Sequence, residues 1–171
     1  MEAAVELHET LGPARTSVSA IAERAGVQRH TYYRHFPDQR SLFLACSGLY
    51  MEQNPPPDPE AWRSIPDSDE RLKRGLRDLY EYFAANEQML ASTIRDAEVH
   101  PPTAEANAIR MGPVITEIRE VLAAGRRSKR ALALLDLALA FSTWRMLAAS
   151  GLAPKAAAET MAAAVRCARS G

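Results

Sequence analysis

Cysteine is scarce in this sequence of 171 residues, which contains only Cys46 and Cys167. Two cysteines so far apart exclude a disulfide framework and a Cys-x-x-Cys motif, and they fit the reducing cytoplasm. Long apolar runs are missing too: the longest, residues 131–140, is interrupted by Asp136 and is shorter than the roughly 18 residues of a membrane span. The first eleven residues carry three glutamates and no lysine or arginine, unlike a signal peptide. We therefore expect a cytoplasmic protein with no membrane partner.

An excess of charge of either sign is also absent, because 21 lysines and arginines balance 21 aspartates and glutamates. This balance excludes a uniformly basic nucleic-acid coat protein but leaves room for a local basic patch, and local charge is what contacts phosphate. Patterns typical of β-strands are equally rare, and no Asn-Gly or Asp-Gly turn occurs. Alanine, leucine, glutamate and arginine dominate instead, and they are good helix formers. The sequence predicts an all-α protein.

The clearest break in composition is the segment 54–59, whose four prolines predict a loop. We expect two domains, residues 1–50 and 51–171, and a kink at Pro113 inside one long helix of the second. The spacing of apolar residues, glycines and prolines predicts helices on both sides of the loop. Their approximate ranges are 2–11, 16 or 17 to 25, 28–35 and 39–53 before it, and 68–86, 88–99, 103–124, 128–150 and 154–169 after it.

The most informative segment is residues 16–50, where two short predicted helices meet at a tight turn on Gly26. This arrangement is a helix-turn-helix, and its second helix projects an outer face that the major groove of DNA, about 12 Å wide, admits. Four arginines stand against one acid, Asp38, between residues 24 and 40, which gives a local charge of +3. The segment therefore predicts a DNA-binding surface.

The same segment resembles the DNA-binding domain of the tetracycline-repressor-like (TetR) family. The resemblance covers the first fifty residues, whereas the later helices match the family only in architecture. It is carried by Ser17-Val18, Ile21-Ala22, Ala25-Gly26-Val27, Thr31-Tyr32-Tyr33, Phe36-Pro37 and Leu42-Phe43. The resemblance implies a three-helix DNA-binding domain followed by a helical ligand-binding and dimerisation domain. It implies a ligand-responsive transcriptional regulator, a repressor, that binds palindromic operator DNA as a homodimer.

Residues that contact double-stranded DNA are implied by the resemblance, position by position. They are Ser17, Ser19, Gln28, Arg29, His30, Thr31, Tyr33, Arg34, His35 and Gln39. Arg29 opens the recognition helix, where a bidentate contact to guanine discriminates by about 1–3 kcal/mol. Tyr32 and Phe36 are expected in the protein core instead.

Several features depart from the family pattern. Gln39 stands where a lysine usually contacts phosphate, which suggests weaker phosphate affinity, and His30 stands where a small residue is common, which suggests an altered base preference. Tyr32 replaces the usual leucine. The basic arm before the first helix is missing, so either the start is truncated or this member lacks the arm. The alternative hypothesis is a ligand-sensing or interaction protein on the same scaffold that does not bind DNA.

The second domain is expected to bind an apolar or amphipathic small molecule and to pair with a second copy. Candidate ligand-binding residues are Trp62, Tyr80, Tyr82, Phe83, Met89, Met111 and Ile115, and each is otherwise a core residue. The resemblance implies a dimer interface on the last two helices, where the candidates are Leu132, Leu135, Leu139, Trp144, Ala158, Met161, Ala162 and Val165. Periodicity does not separate that interface from an intramolecular core.

Enzyme hypotheses find no support in the sequence. The four histidines show no metal-ligand spacing with cysteines or acids, and neither a nucleophile elbow nor a phosphate-binding glycine loop occurs. We expect no catalytic activity, no metal and no cofactor.

Overall fold

A computed structural model describes residues 1–168 of the chain and confirms the all-α prediction. The described residues form eleven α-helices and no β-strand. A single 3-10 turn, Pro13–Arg15, precedes the second helix. The helices are α1 Glu2–Thr10, α2 Val18–Arg24, α3 Arg29–His35, α4 Gln39–Gln53, α5 Glu60–Arg63, α6 Ser68–Ala85, α7 Glu87–Ala97, α8 Pro101–Ala123, α9 Lys129–Leu139, α10 Phe141–Ala149 and α11 Pro154–Cys167.

Side-chain caps and one glycine set the ends of the early helices. The Ser17 hydroxyl accepts a hydrogen bond from the backbone N–H of Ala20 at 3.1 Å, which satisfies a free donor at the start of α2. Gly26 then follows α2 with φ of +66°, a left-handed conformation that side chains other than glycine rarely adopt. The Asp38 carboxylate caps α4 by accepting from the N–H of Ser41 at 2.7 Å.

Helices α1 to α4 enclose a small apolar core. Its buried members are Ala4, Ile21, Tyr32, Leu42 and Cys46, and the partly buried Val5, Leu7, Val18 and Phe36 pack against them. Since Tyr32 is only 5% exposed and packs on Phe36, the expected core role of both residues is confirmed.

The chain divides into two compact units that do not follow the chain order. The first unit contains residues 1–55 and 86–113, and the second contains residues 56–85 and those from 114 onward. Residues 1–50 thus lie within one unit, whereas the predicted second domain is shared between both. Helix α8 continues through Pro113, after which its residues belong to the second unit.

The second unit is built around α6, whose apolar side is fully buried. Leu72, Leu76 and Leu79 have at most 1% of their surface exposed. The hydroxyl of Tyr80 donates to the carbonyl of Ala138 on α9 at 2.8 Å. At Gly75, an added Cβ would lie 2.6 Å from a methyl of Leu122, so α6 and α8 approach closely there because the residue has no side chain.

Two predictions of helix position were wrong. The helix predicted over 128–150 is two helices, because Ala140 is extended at φ −75° and ψ 130°. The four-residue α5 lies just after the proline-rich loop and was not predicted; it carries Trp62, which is 1% exposed. The predicted end of the last helix, Arg169, lies outside the described residues.

No single helix of the described residues is long and apolar enough to cross a membrane. Helices α9 and α10 meet the criteria of length and hydropathy only when taken together, and they are bent by 71° relative to each other.

Candidate nucleic-acid interface

The polar face of α3 points to solvent, as the helix-turn-helix prediction requires. Nine of the ten predicted DNA-contact residues are exposed, and Thr31 is partly buried. The neighbouring tyrosines divide the two faces: Tyr32 is 5% exposed and Tyr33 is 48% exposed. The buried ring of Tyr32 meets that of Tyr33 edge-on, with their centroids 5.3 Å apart. Helix α3 is therefore anchored on one side and free on the other.

Ion pairs divide the four arginines of this surface into two kinds. Arg24 is paired with Glu6 of α1, and Arg40 is paired with Glu105 of α8. Among the described residues, neither Arg29 nor Arg34 on α3 forms an ion pair. The charge of +3 counted from the sequence is thus partly compensated, and the uncompensated positive charge lies on the recognition helix itself.

The turn before α2 is held by a buried carboxylate of α7. Asp96 is 4% exposed and accepts a hydrogen bond from the backbone N–H of Ala14 at 2.9 Å and one from the Arg95 guanidinium at 2.7 Å. Burial alone raises the pKa of Asp96, but these hydrogen bonds outweigh it and hold the pKa below its usual value. Gly12 lies against both side chains with φ of +94°, so a larger residue there would clash with them.

A buried histidine lies beside this anchor and was not predicted. His8 of α1 is 4% exposed and stacks on Phe43 with ring centroids 4.7 Å apart, while Phe43 meets His100 edge-on. The carbonyl of His8 accepts from the hydroxyl of Ser92 at 2.9 Å. Burial, with help from the nearby His100, lowers the pKa of His8 to about 4. The amphipathic pattern of α1 gave no signal for this burial, because its partners come from α4 and α7.

The predicted ligand-binding residues are divided between the two units. Trp62, Tyr80, Tyr82 and Phe83 are buried in the core of the second unit, and Phe83 packs on Phe141 and Trp144. Met89 is buried in the first unit, Met111 of that unit is partly exposed, and so is Ile115 of the second.

An open groove of about 350 Å³ occurs elsewhere in the second unit, and none of the seven predicted residues lines it. It is lined by Ile65, Glu70, Lys73, Arg74, Arg77, Lys155, Ala158 and Glu159. Over the described residues, no group of three or more histidine, cysteine, aspartate or glutamate side chains is placed to hold a metal ion.

Most of the predicted dimer-interface residues support the chain's own core. At most 6% of the surface of Leu135, Leu139, Trp144, Ala158, Ala162 and Val165 is exposed. These six therefore offer almost no surface to a partner, which corrects that part of the prediction. Leu132 and Met161 are partly exposed. On the same helices, Leu137 is 56% and Met146 is 73% exposed, and neither was predicted.

Comparison with known proteins agrees with this architecture. Residues 1–46 match the family model described as bacterial regulatory proteins, tetR family. No curated protein sequence matches the chain.

Solved structures match over nearly the whole chain, at identities that establish the fold. A TetR-like transcriptional regulator from Rhodococcus sp. RHA1 has a TM-score of 0.65 at 19% identity, over 96% of this chain and 90% of that one. The TetR-family regulator PfmR from Thermus thermophilus has a TM-score of 0.64 at 19% identity, over 99% and 96%. Bacillus subtilis FadR in complex with stearoyl-CoA has a TM-score of 0.63 at 16% identity, over 99% and 96%. Residues 1–46 thus match the tetR family model, and the chain has the fold of these transcriptional regulators.

Proposed function

We propose that this chain is a ligand-responsive transcriptional regulator, a repressor, that binds palindromic operator DNA as a homodimer through α3. The observation that carries the proposal is the two-sided character of α3: Tyr32 is buried on one side, while Arg29 and Arg34 are exposed on the other and form no ion pair with any residue that the structure describes. A helix held from one side, with free guanidinium groups on the other, has the geometry that major-groove contact requires.

Roles within the interface follow from position. Gln28, Arg29 and His30 begin α3 and read base edges, because the N-terminal residues of a recognition helix approach the bases. Ser17 and His35 contact phosphate, and Ser19 contacts a base or a phosphate. Thr31 and Tyr33 contact phosphate or a thymine methyl group. Ser17 caps α2 through its oxygen, and its hydroxyl hydrogen is still free to donate to phosphate.

Dimerisation is proposed on the exposed face of α9, α10 and α11. Since six of the eight residues first expected there are buried, the proposed contact moves to Leu137 and Met146, with Leu132 and Met161 at its edge. Large exposed apolar side chains on one set of helices are typical of an interaction surface. A two-fold axis would present two copies of α3 to half-sites about 34–36 Å apart.

The proposed effector is an apolar or amphipathic small molecule. The solved complex of FadR with stearoyl-CoA, a ligand with a long acyl chain, supports this class for a protein of the same fold. The proposed binding residues of the second unit are Trp62, Tyr80, Tyr82, Phe83 and Ile115, and those of the first are Met89 and Met111. Of these residues, Trp62, Tyr80, Tyr82, Phe83 and Met89 are buried.

The experiment that tests the function is selection of genomic fragments by the purified chain, followed by fluorescence anisotropy with the recovered sequence. A palindromic fragment should bind one dimer, and its affinity should fall steeply with salt. A protein that retains no fragment but binds a small molecule tightly would contradict the proposal and favour the scaffold without DNA binding.

A further inference from the structure

We infer that Arg40 is a further phosphate-contact residue, whose guanidinium is shared between the operator backbone and the Glu105 carboxylate of the same chain. This inference rests on the proposed DNA binding. Arg40 makes the phosphate contact that a lysine at position 39 usually makes and that Gln39 does not make. Glu105 then competes with the DNA phosphate for the Arg40 guanidinium.

The position of Arg40 places it at the DNA-facing side. It is the second residue of α4, five residues after the end of α3 and next to Gln39, the expected phosphate position. Its side chain is 58% exposed. The Asp38 carboxylate caps this turn by accepting from the N–H of Ser41, so the contact proposed for Arg40 is that of its guanidinium.

The Glu105 carboxylate contacts Arg40 in a geometry that a phosphate group would also adopt. Nε of Arg40 lies 2.8 and 2.9 Å from the two carboxylate oxygens, and a terminal nitrogen lies 2.8 Å from one of them. The planar guanidinium binds carboxylate and phosphate with the same two-pronged geometry. Because both partners are exposed, the pair is screened by water and is readily exchanged.

A second pair follows the same pattern independently. Arg24, at the end of α2, is held by Glu6 of α1 through two of its nitrogens. The two arginines that flank α3 in sequence are thus both held by carboxylates of other helices, whereas Arg29 and Arg34 on α3 have no such partner within residues 1–168. Nε and one terminal nitrogen of Arg40 are therefore available to phosphate only in exchange for their bonds to Glu105.

The test is a double-mutant cycle in the full-length chain, read out as affinity for the selected operator and for a random duplex. Glu105→Gln should raise affinity for both duplexes about 3–10-fold, because a phosphate contact carries no sequence information. Arg40→Ala should lower both affinities, and it should reduce the slope of log K against log salt by about 0.9 for each lost contact. In the Arg40→Ala background, Glu105→Gln should have no further effect.

Glu98→Gln is the matched control, since it removes the same charge from an exposed glutamate that forms no ion pair among the described residues. An equal gain in affinity for Glu98→Gln and Glu105→Gln would overturn the inference, as would a gain from Glu105→Gln that persists without Arg40. Wild-type protein that binds neither duplex would contradict the proposed function itself. Circular dichroism of each variant confirms that the exposed substitutions leave the fold intact.

Discussion

The carboxylate of Asp96 accepts a hydrogen bond at 2.9 Å from the backbone N–H of Ala14, a residue 82 positions earlier in the chain. The bond joins α7 to the turn that leads into the helix-turn-helix. Because the same carboxylate binds the Arg95 guanidinium, one buried group links α7 to the 3-10 turn Pro13–Arg15 before α2. We regard it as the main polar anchor of the DNA-binding segment within the first unit.

Replacing Asp96 with alanine should therefore destabilise the protein. The change leaves the Arg95 guanidinium without its partner and removes the acceptor of Ala14, and the loss of a buried polar partner costs about 1–3 kcal/mol. Urea denaturation measures the effect. Asp136→Ala is the control, because Asp136 forms an exposed pair with Arg119 and should cost no more than about 1 kcal/mol. Equal effects of the two substitutions would contradict the anchoring role.

His8 should make stability depend on pH. Its pKa is about 4 in the folded protein and about 6.5 in the unfolded chain, so between these values the unfolded state binds more protons. Stability is then full above about pH 6.5, and it falls as pH drops towards 4, by up to roughly 1.4 kcal/mol for each pH unit.

His8→Phe removes this titration and keeps a ring against Phe43. The difference in unfolding free energy between pH 7.5 and pH 5.5 should be smaller in this variant than in wild type. The control is His35→Gln, which replaces an exposed imidazole and should leave that difference unchanged. If the unfolding free energy of His8→Phe depends on pH as strongly as that of wild type, another group is responsible.

Two glycines inside helices should respond differently to alanine. At Gly75 the new Cβ meets methyl groups of Leu122 at 2.6 and 3.0 Å, so the substitution forces α6 and α8 apart and should cost about 1–3 kcal/mol. At Gly112 nothing beyond the neighbouring residues lies within 4 Å of the Cβ, but Pro113 follows and disfavours the helical conformation of a non-glycine residue before it, so the substitution should change stability by less than about 1 kcal/mol. Thermal melts of both variants test the close packing, and a neutral Gly75→Ala would refute it.

The proposed dimer surface predicts that Met146→Glu, alone or with Leu137→Glu, gives monomers. Each charge would be buried without a partner between two copies, which disfavours association. Sedimentation velocity reports the mass. Val99→Glu in the other unit provides a matched control, since Val99 is 76% exposed and Met146 is 73% exposed. Monomeric wild-type protein, or dimers that persist in both Met146 variants, would contradict this surface.

Local signals predicted the helix-turn-helix well. The bounds of α4 agree with the prediction, because Asp38 is a strong cap and the prolines that follow Gln53 end the helix unambiguously. Tyr32 and Phe36 lie in the core as expected, since their spacing on α3 puts them on one side.

Features that depend on contacts between residues far apart in the chain could not be predicted from the sequence. Ala140 breaks a helix without any proline or glycine, in a region where Phe141 packs on Phe83 and Trp144. The apolar periodicity of α9 and α11 is the same whether they face a partner or α6, and burial shows that most of the chosen residues face their own chain. The pairing of Arg40 with Glu105 joins residues 65 positions apart, so counting charges along the segment overstated its free positive charge.

The central claim is that the exposed side of α3 reads DNA, and Arg29→Ala tests it most directly. Affinities of wild type and variant are measured by anisotropy for the selected operator and for every single-base change in one half-site, at fixed salt. The account predicts that the variant loses about 1–3 kcal/mol of discrimination at one base pair and keeps its preferences elsewhere. Unchanged discrimination at every position would contradict it.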